Sequence, residues 1–305
     1  MLKYFQCPDG SKVEVAQCLK YCPKRCLSLP TLYSISETRE WKGKASTTQC
    51  LNGTRYSYLH IVKDYTVNPF EQAFSLLGTN HHRKLDAIAQ KLNVLSEEKL
   101  DEETTGIFDL LEPDVDKYIL TDYKTWGSYK VAKTLGIVSK KVADPSGAVY
   151  IRDSPYGKRG QPKMIDEFFC DMNKTDTFES DMQLNNYRIM IEQLGFPVSA
   201  MRIQATVRDG GTISATGRGV MQNIVMIPVQ RLDDEEVTAY FSEKNRALVN
   251  AVETRHIPPP CNSREKWEGR RCKEYCNVSE FCPEVSKEAM EYYKLTNGYD
   301  LLKKV

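Results

Sequence analysis

No run of eighteen apolar residues occurs in this 305-residue sequence, so no helical membrane span is expected. Residues Met1 to Cys7 carry neither an extended apolar segment nor a small-residue cleavage site. No secretory signal is read there, and a cytoplasmic location is expected. Net charge is almost absent too. Lys and Arg number 42 against 41 Asp and Glu, a formal +1, which makes no global electrostatic case for nucleic acid. A phosphate-binding Walker motif and a serine nucleophile elbow are both missing, which argues against P-loop and serine-hydrolase chemistry. What remains is 41% hydrophobic and 27% charged, an ordinary globular composition on a chain long enough to bury a full core.

Cysteine, by contrast, is abundant: there are ten, in a chain with no export signal, which points to metal rather than disulfides. Eight form two compact quartets. Cys7, Cys18, Cys22 and Cys26 are separated by ten, three and three residues; Cys261, Cys272, Cys276 and Cys282 by ten, three and five. From Cys7 to Cys22 and from Cys261 to Cys276 the segments also match at Lys12 and Lys266, Glu14 and Glu268, and Tyr21 and Tyr275. Four soft thiolates suit an iron–sulfur cluster or Zn²⁺, and the spacing does not choose between them. Cys170 has no neighbouring cysteine and is expected to be a small buried apolar residue.

Two apolar runs, Gly106 to Leu111 and Tyr118 to Lys124, flank Glu112-Pro113-Asp114-Val115-Asp116. Proline fixes φ and aspartate tolerates the bend, so an antiparallel hairpin is expected. Such a hairpin brings Asp109 and the Asp122-Tyr123-Lys124 triplet to one end of a sheet. Carboxylates are hard ligands for Mg²⁺ or Mn²⁺, and a lysine beside the metal can orient or deprotonate an attacking water, a combination suited to phosphodiester hydrolysis. Upstream, Gly78 and His82 lie in a helical pattern of apolar residues (Phe70, Ala73, Leu76, Leu77, Leu85, Ile88, Leu92). Downstream, Gln183 and Tyr187 sit one turn apart on a second predicted helix.

The order Gly-x-x-x-His, Gly-x-x-Asp, Asp-x-Lys, Gln-x-x-x-Tyr resembles the RecB-like branch of the PD-(D/E)XK nucleases, including its CRISPR-associated and phage-type exonucleases. The resemblance spans roughly residues 46 to 285. It implies a restriction-endonuclease-like α/β fold, a mixed central sheet flanked by helices. It also implies His82 and Asp109 as metal ligands and Asp122 as the second acidic ligand, where many members have Glu. Lys124 would assist the water, while Gln183 and Tyr187 would steady the site or the DNA backbone. The adjacent His81 lacks the four-residue offset from Gly78. A 4Fe–4S cluster on Cys261, Cys272, Cys276 and Cys282 is implied as well, although Cys272-x-x-x-Cys276 is one residue longer than the usual pair. Cys50 is the alternative to Cys261 as fourth ligand. The N-terminal quartet lies outside the resemblance, and a zinc knuckle and a second Fe–S cluster are both open there.

The function expected is a metal-dependent exonuclease acting on single-stranded or frayed DNA ends, with a homo-oligomer or a recombination or repair protein as possible partner. The alternative is a DNA-binding or assembly factor with a vestigial nuclease site. Three regions are expected: residues 1–34 and 258–305 as cysteine-rich metal modules, and 35–257 as the nuclease core. Within the core, Pro69 opens the His82 helix, and Glu97 to Glu103 reads as a charged connection. Helices are also expected at Ser128 to Leu135, Phe178 to Leu194 and after Asp233 or Asp234, with strands at Met201 to Val207 and Ile224 to Val229. Pro228 argues for a sheet edge at the last strand. Lys130, Lys133, Lys140, Lys141, Arg152, Lys158, Arg159 and Lys163, interleaved with Tyr129, Tyr150 and Tyr156, could follow a phosphate backbone.

Overall fold

A computed structural model describes residues 1–296. In chain order its elements are β1 (Leu2–Gln6), β2 (Lys12–Glu14), α1 (Val15–Tyr21), α2 (Leu29–Ser36), α3 (Thr47–Leu51), α4 (Thr54–Val62), β3 (Tyr65–Val67), α5 (Pro69–Gln72), α6 (Ser75–Lys91), β4 (Leu95–Asp101), β5 (Thr105–Asp114), β6 (Lys117–Trp126), α7 (Ser128–Leu135), β7 (Ile137–Ala143) and β8 (Met164–Cys170). They continue with α8 (Phe178–Gln193), β9 (Val198–Val207), α9 (Ile213–Thr216), β10 (Ile224–Val229), α10 (Asp234–Thr254), α11 (Arg270–Glu274) and α12 (Lys287–Leu295). The described residues form a mixed α/β structure with three sheets, ordered β2-β1-β3, β10-β9-β6-β5-β4 and β7-β8, and helices flank them. The chain divides into two compact units. One comprises Met1–Thr121, Asp181–Met201 and Gln230 onward; the other comprises Asp122–Ser180 and Arg202–Val229.

In the first unit, the expected hairpin forms. Leu110 pairs with Thr121 and each step runs antiparallel to Asp114 opposite Lys117, leaving Val115 and Asp116 as the turn. Val115 takes φ 56, a left-handed conformation that a β-branched residue adopts at a cost. β4 pairs antiparallel with the other edge of β5. The segment from Glu97, read from sequence as a charged connection, is therefore a strand: its Ser96 and Leu100 are buried, Glu97 is partly buried, and Glu98 and Lys99 are exposed. The helix expected from Pro69 is interrupted. Asn68 caps α5, and i→i+3 bonds from Phe74 to Glu71 and from Leu76 to Ala73 break the α-helical ladder before α6 starts. Periodicity gives the helix but not its burial, since Phe70, Leu77, Ile88 and Leu92 are exposed.

Local signals account for several other boundaries. Ser46 and Gln49 form a reciprocal capping box on α3. Asp233 accepts from the Glu235 and Glu236 amides at the start of α10, whose first turn is acidic. β1 joins β2 antiparallel and β3 in parallel, and Phe5, Cys18, Leu32, Ile35 and Val67 form the small core beneath.

In the second unit, α7 ends at Gly136, left-handed at φ 63; a Cβ there would meet the Asp171 carbonyl oxygen at 2.2 Å, so only glycine fits. β10 is the terminal strand in its sheet, consistent with Pro228. A short helix, α9, lies between the glycines Gly210-Gly211 and Gly217. Cys170 ends β8 and is exposed rather than buried: its strand belongs to a two-stranded sheet whose outer positions face solvent. Among the described residues, no helix is long and apolar enough to cross a membrane.

Candidate functional site

α6 carries His82 against the strand pair β4–β5. Ser96 pairs with Leu110 and Glu98 with Phe108, so the register sets Glu97 opposite Asp109. Glu97 is itself left-handed, at φ 52, a local break in the strand. One residue earlier, the Ser96 hydroxyl donates to Asp86 Oδ1 at 2.7 Å, tying the strand to α6 one turn beyond His82. His82 Nδ1 then lies 3.4 Å from Glu97 Oε1 and 3.3 Å from Asp109 Oδ1. One donor atom from each of the three lies within 4.8 Å of the others. His81 presents its ring to His82 edge-on, with centroids 6.3 Å apart.

One imidazole and two carboxylates form a compact donor set of the kind that accepts Mn²⁺ or Mg²⁺, and His82 and Glu97 are partly exposed, which leaves room for water ligands. Burial, followed by the Asp109 charge, holds the Glu97 carboxyl above its ordinary range. Two carboxylates held this close favour a cation between them. Sequence reasoning missed Glu97. The signal was the interruption of alternation at Ser96-Glu97-Glu98, which reads equally well as a connection.

α8 delivers the remaining motif residues of this unit. Asn186 donates to the hydroxyls of Thr47 (2.9 Å) and Thr104 (3.0 Å), fixing the helix beside the start of β5. Tyr187 lies so close to that strand that a Cβ on Gly106 would sit 2.4 Å from its Cε1. The glycine three residues before Asp109 is thus required by the tyrosine ring. Gln183 Nε2 donates to the Tyr187 hydroxyl at 3.4 Å. Gly106, Gln183 and Tyr187 are brought together as a group.

In the second unit, Lys124 Nζ stands 2.6 Å from Asp122 Oδ2. The two are alternate residues of β6 and so share a face. Asp122 is buried and Lys124 partly so. Beyond them, Asp209 accepts from both the amide and the hydroxyl of Ser128 at 2.6 Å, which anchors the start of α7 and pulls the Asp209 carboxyl below its usual range. The basic stretch is largely neutralised along its first half: Lys130 and Lys133 pair with Asp176, Lys140 with Glu167 and Lys141 with Asp166.

The C-terminal quartet lines one pocket, with Cys261, Cys272, Cys276 and Cys282 facing it beside Arg55, Tyr56 and Leu59. Gly53 makes room: a Cβ there would lie 2.4 Å from Cys261 Sγ. Arg55 donates to Cys282 Sγ at 3.8 Å, and Arg271 stacks on Tyr56 at 3.8 Å. Burial pushes the Cys276 thiol up to about 11. Cys50 is buried elsewhere, beside Lys244 and Glu103, and its thiol is pushed up to about 12, again mainly by burial; it is not among the residues lining this pocket. At the other end of the sequence, Cys18 is buried in the small N-terminal core, with Cys22 and Cys26 packed against it. Burial, then the charges of Cys22, Cys26 and Cys7, raise its thiol pKa, which places all four within electrostatic reach of one another.

No family model matches this chain, and no curated protein matches it. Among solved structures, the crystal structure of SSO0001 is similar at 15% identity, over 83% of this chain and 92% of that one, with a TM-score of 0.40.

Proposed function

We propose that the protein is a divalent-metal-dependent deoxyribonuclease with a restriction-endonuclease-like core of the RecB-like kind, acting at free or single-stranded DNA ends. The observation that carries this reading is the meeting of His82, Glu97 and Asp109, with donor atoms within 4.8 Å of one another. Two of the three are the ligands assigned from the motifs, and the third was found by geometry alone. Bound Mg²⁺ or Mn²⁺ supplies charge neutralisation at a scissile phosphate and lowers the pKa of coordinated water.

The chain's own residues supply the rest. His82 and the two carboxylates would hold the cation. Asp122 keeps the Lys124 ammonium oriented at 2.6 Å, and Lys124 takes the water-assisting role that the resemblance assigns it. The resemblance also assigns Asp122 a ligand's role, and Asp122 is paired with Lys124. Tyr187, packed on Gly106 and hydrogen-bonded by Gln183, braces the strand that carries Asp109. A 4Fe–4S cluster on Cys261, Cys272, Cys276 and Cys282 belongs to this reading, and the shared pocket supports it. The preference for DNA ends comes from the resemblance through His82.

The test is cleavage of end-labelled single- and double-stranded oligonucleotides with Mn²⁺ or Mg²⁺. Asp109→Ala, Glu97→Ala and Lys124→Ala are each expected to lose at least about 100-fold in rate, with DNA binding retained. Wild-type rates in all three variants refute the assignment. Binding without cleavage by the wild-type protein, under any divalent ion, favours the DNA-binding alternative instead.

A further inference from the structure

β1, β3 and the helices α2 to α5 line a cavity of about 300 Å³, built from other residues than those assigned to hydrolysis. Its volume is at the lower end of the range for small-molecule pockets. Ile35 and Val67 give it apolar surface continuous with the small core beneath. Trp41 gives it an aromatic face. That residue lies in the connection between α2 and α3, where residues 37–40 are exposed and the indole is partly buried against the cavity. Gln49, Gln72 and Asn277 bring carboxamides from α3, α5 and the segment after α11. Gln49 Oε1 accepts from the Ser46 amide at 2.8 Å, which leaves Nε2 as its donor toward other groups. Arg39 adds a cation at the exposed rim.

His60, which also lines the cavity, is the most specific of these groups. Its Nδ1 is 2.9 Å from the Tyr56 carbonyl oxygen. A carbonyl only accepts, so Nδ1 carries the proton and Nε2 is left as an acceptor. Burial holds the ring neutral, with its pKa lowered to about 4. Tyr56 and Tyr65 fix its plane, with ring centroids 4.1 and 4.6 Å away. The cavity thus combines a fixed acceptor, carboxamides that donate and accept, a flat aromatic surface and a cation. We propose that it binds an adenine nucleotide, with the base on Trp41 and the phosphate at Arg39. Adenine offers an exocyclic amine to the imidazole acceptor, next to ring nitrogens that accept from a carboxamide, and its ring stacks on an indole. A guanidinium at an exposed rim suits a phosphate that keeps part of its hydration. Thymine matches less well, because it presents a carbonyl oxygen where adenine presents the amine. An apolar ligand would strand the imidazole and the three carboxamides without partners. The nucleotide is either a free monophosphate or part of a DNA strand. Binding of this kind is independent of the nuclease reading and is read without a divalent ion.

The full-length protein is dialysed to equilibrium against radiolabelled dAMP, with no divalent ion added. One dAMP per chain, saturating below about 1 mM, is expected, with dTMP bound more weakly. Trp41→Ala should weaken dAMP by about 5- to 100-fold, and Trp41→Phe, which keeps a ring, by less. Arg39→Gln should weaken dAMP by about 10-fold while leaving deoxyadenosine, which has no phosphate, unchanged. Asp109→Ala should leave dAMP binding as it is. No binding by the wild type, dTMP bound as tightly as dAMP, or wild-type affinity in Trp41→Ala overturns the proposal. So does loss of binding in Asp109→Ala, which would move the nucleotide to the His82 cluster. Should Trp41→Ala fail to fold, Arg39→Gln decides, because its side chain is exposed: equal weakening of dAMP and deoxyadenosine, or of neither, ends the proposal. Competition by oligo(dA) separates the two sources. Displacement of dAMP sustains the proposal with a strand as the ligand, and persistence of dAMP sustains it with the free nucleotide.

Discussion

Glu97→Gln separates a metal-binding cluster from an accidental meeting of charged side chains. The Glu97 and Asp109 donor oxygens lie within 4.8 Å. Two unit charges at that distance repel by about 3.5 kcal/mol at an effective dielectric of 20, and by about 0.9 kcal/mol in bulk water. The Glu97 side chain is 33% exposed and His82 sits beside both carboxylates, so the repulsion falls near the lower end, about 1 kcal/mol. Removing one charge should therefore stabilise the metal-free protein by about 1 kcal/mol. It should also remove one of the three donors that meet beside His82. At a free Mn²⁺ concentration 100 times Kd, the wild type gains about 2.7 kcal/mol from binding; the variant should gain less than about 1 kcal/mol at the same concentration. Urea melts with EDTA and with Mn²⁺ should then cross: the variant is the more stable without metal and the less stable with it. The same charges set the pH dependence. A folded pKa raised by burial and by Asp109 means that protonated Glu97 stabilises the fold at low pH, and that this contribution is lost as pH rises through the raised value. The advantage of Glu97→Gln therefore emerges only above that titration, over the interval in which Mn²⁺ stabilisation of the wild type grows. A variant that is less stable in EDTA at pH 8, or that keeps the full Mn²⁺ gain, refutes the metal site.

Gly106→Ala puts a methyl group 2.4 Å from the Tyr187 ring and should cost about 1–3 kcal/mol by overpacking. Adding Tyr187→Leu should recover part of that cost, so additive losses in a double-mutant cycle would contradict the packing described. Arg188→Met removes a fully buried guanidinium that lies 2.6 Å from Asp234 and 3.1 Å from Glu192; because Asp234 is itself half-exposed, the expected loss is about 3 kcal/mol by urea denaturation. Val115→Asn relieves a β-branched residue at positive φ in the β5–β6 turn and should raise stability by roughly 0.5–1 kcal/mol, with cleavage unchanged.

Short-range information in the chain was enough for the hairpin, for α7 and α8, and for the Asp233 cap, because turn residues, periodicity and capping act within a few positions. The same holds for Asp122 beside Lys124, since alternation along a strand puts them on one face. Cysteine spacing alone groups eight of the thiols into two sets. Helical periodicity was a weaker guide: it found α6 but not the break after Gln72, which depends on i→i+3 bonds, nor the exposure of Phe70, Leu77 and Leu92.

Which residues meet across the sheet lay beyond any local pattern. Glu97 becomes a partner of Asp109 through the pairing of β4 with β5, and a strand register is a relation between distant segments that no window of sequence contains. Gly106 was legible as part of a motif, but its physical reason is the Tyr187 ring from a helix some eighty positions later. Cys261 lining the C-terminal pocket, and Cys50 lying outside it, was likewise settled by packing. The sequence alone determined the chemical inventory and its local geometry, because those are carried by side-chain type and backbone periodicity. The tertiary structure chose which of those groups face one another, because that choice depends on burial and on long-range strand pairing.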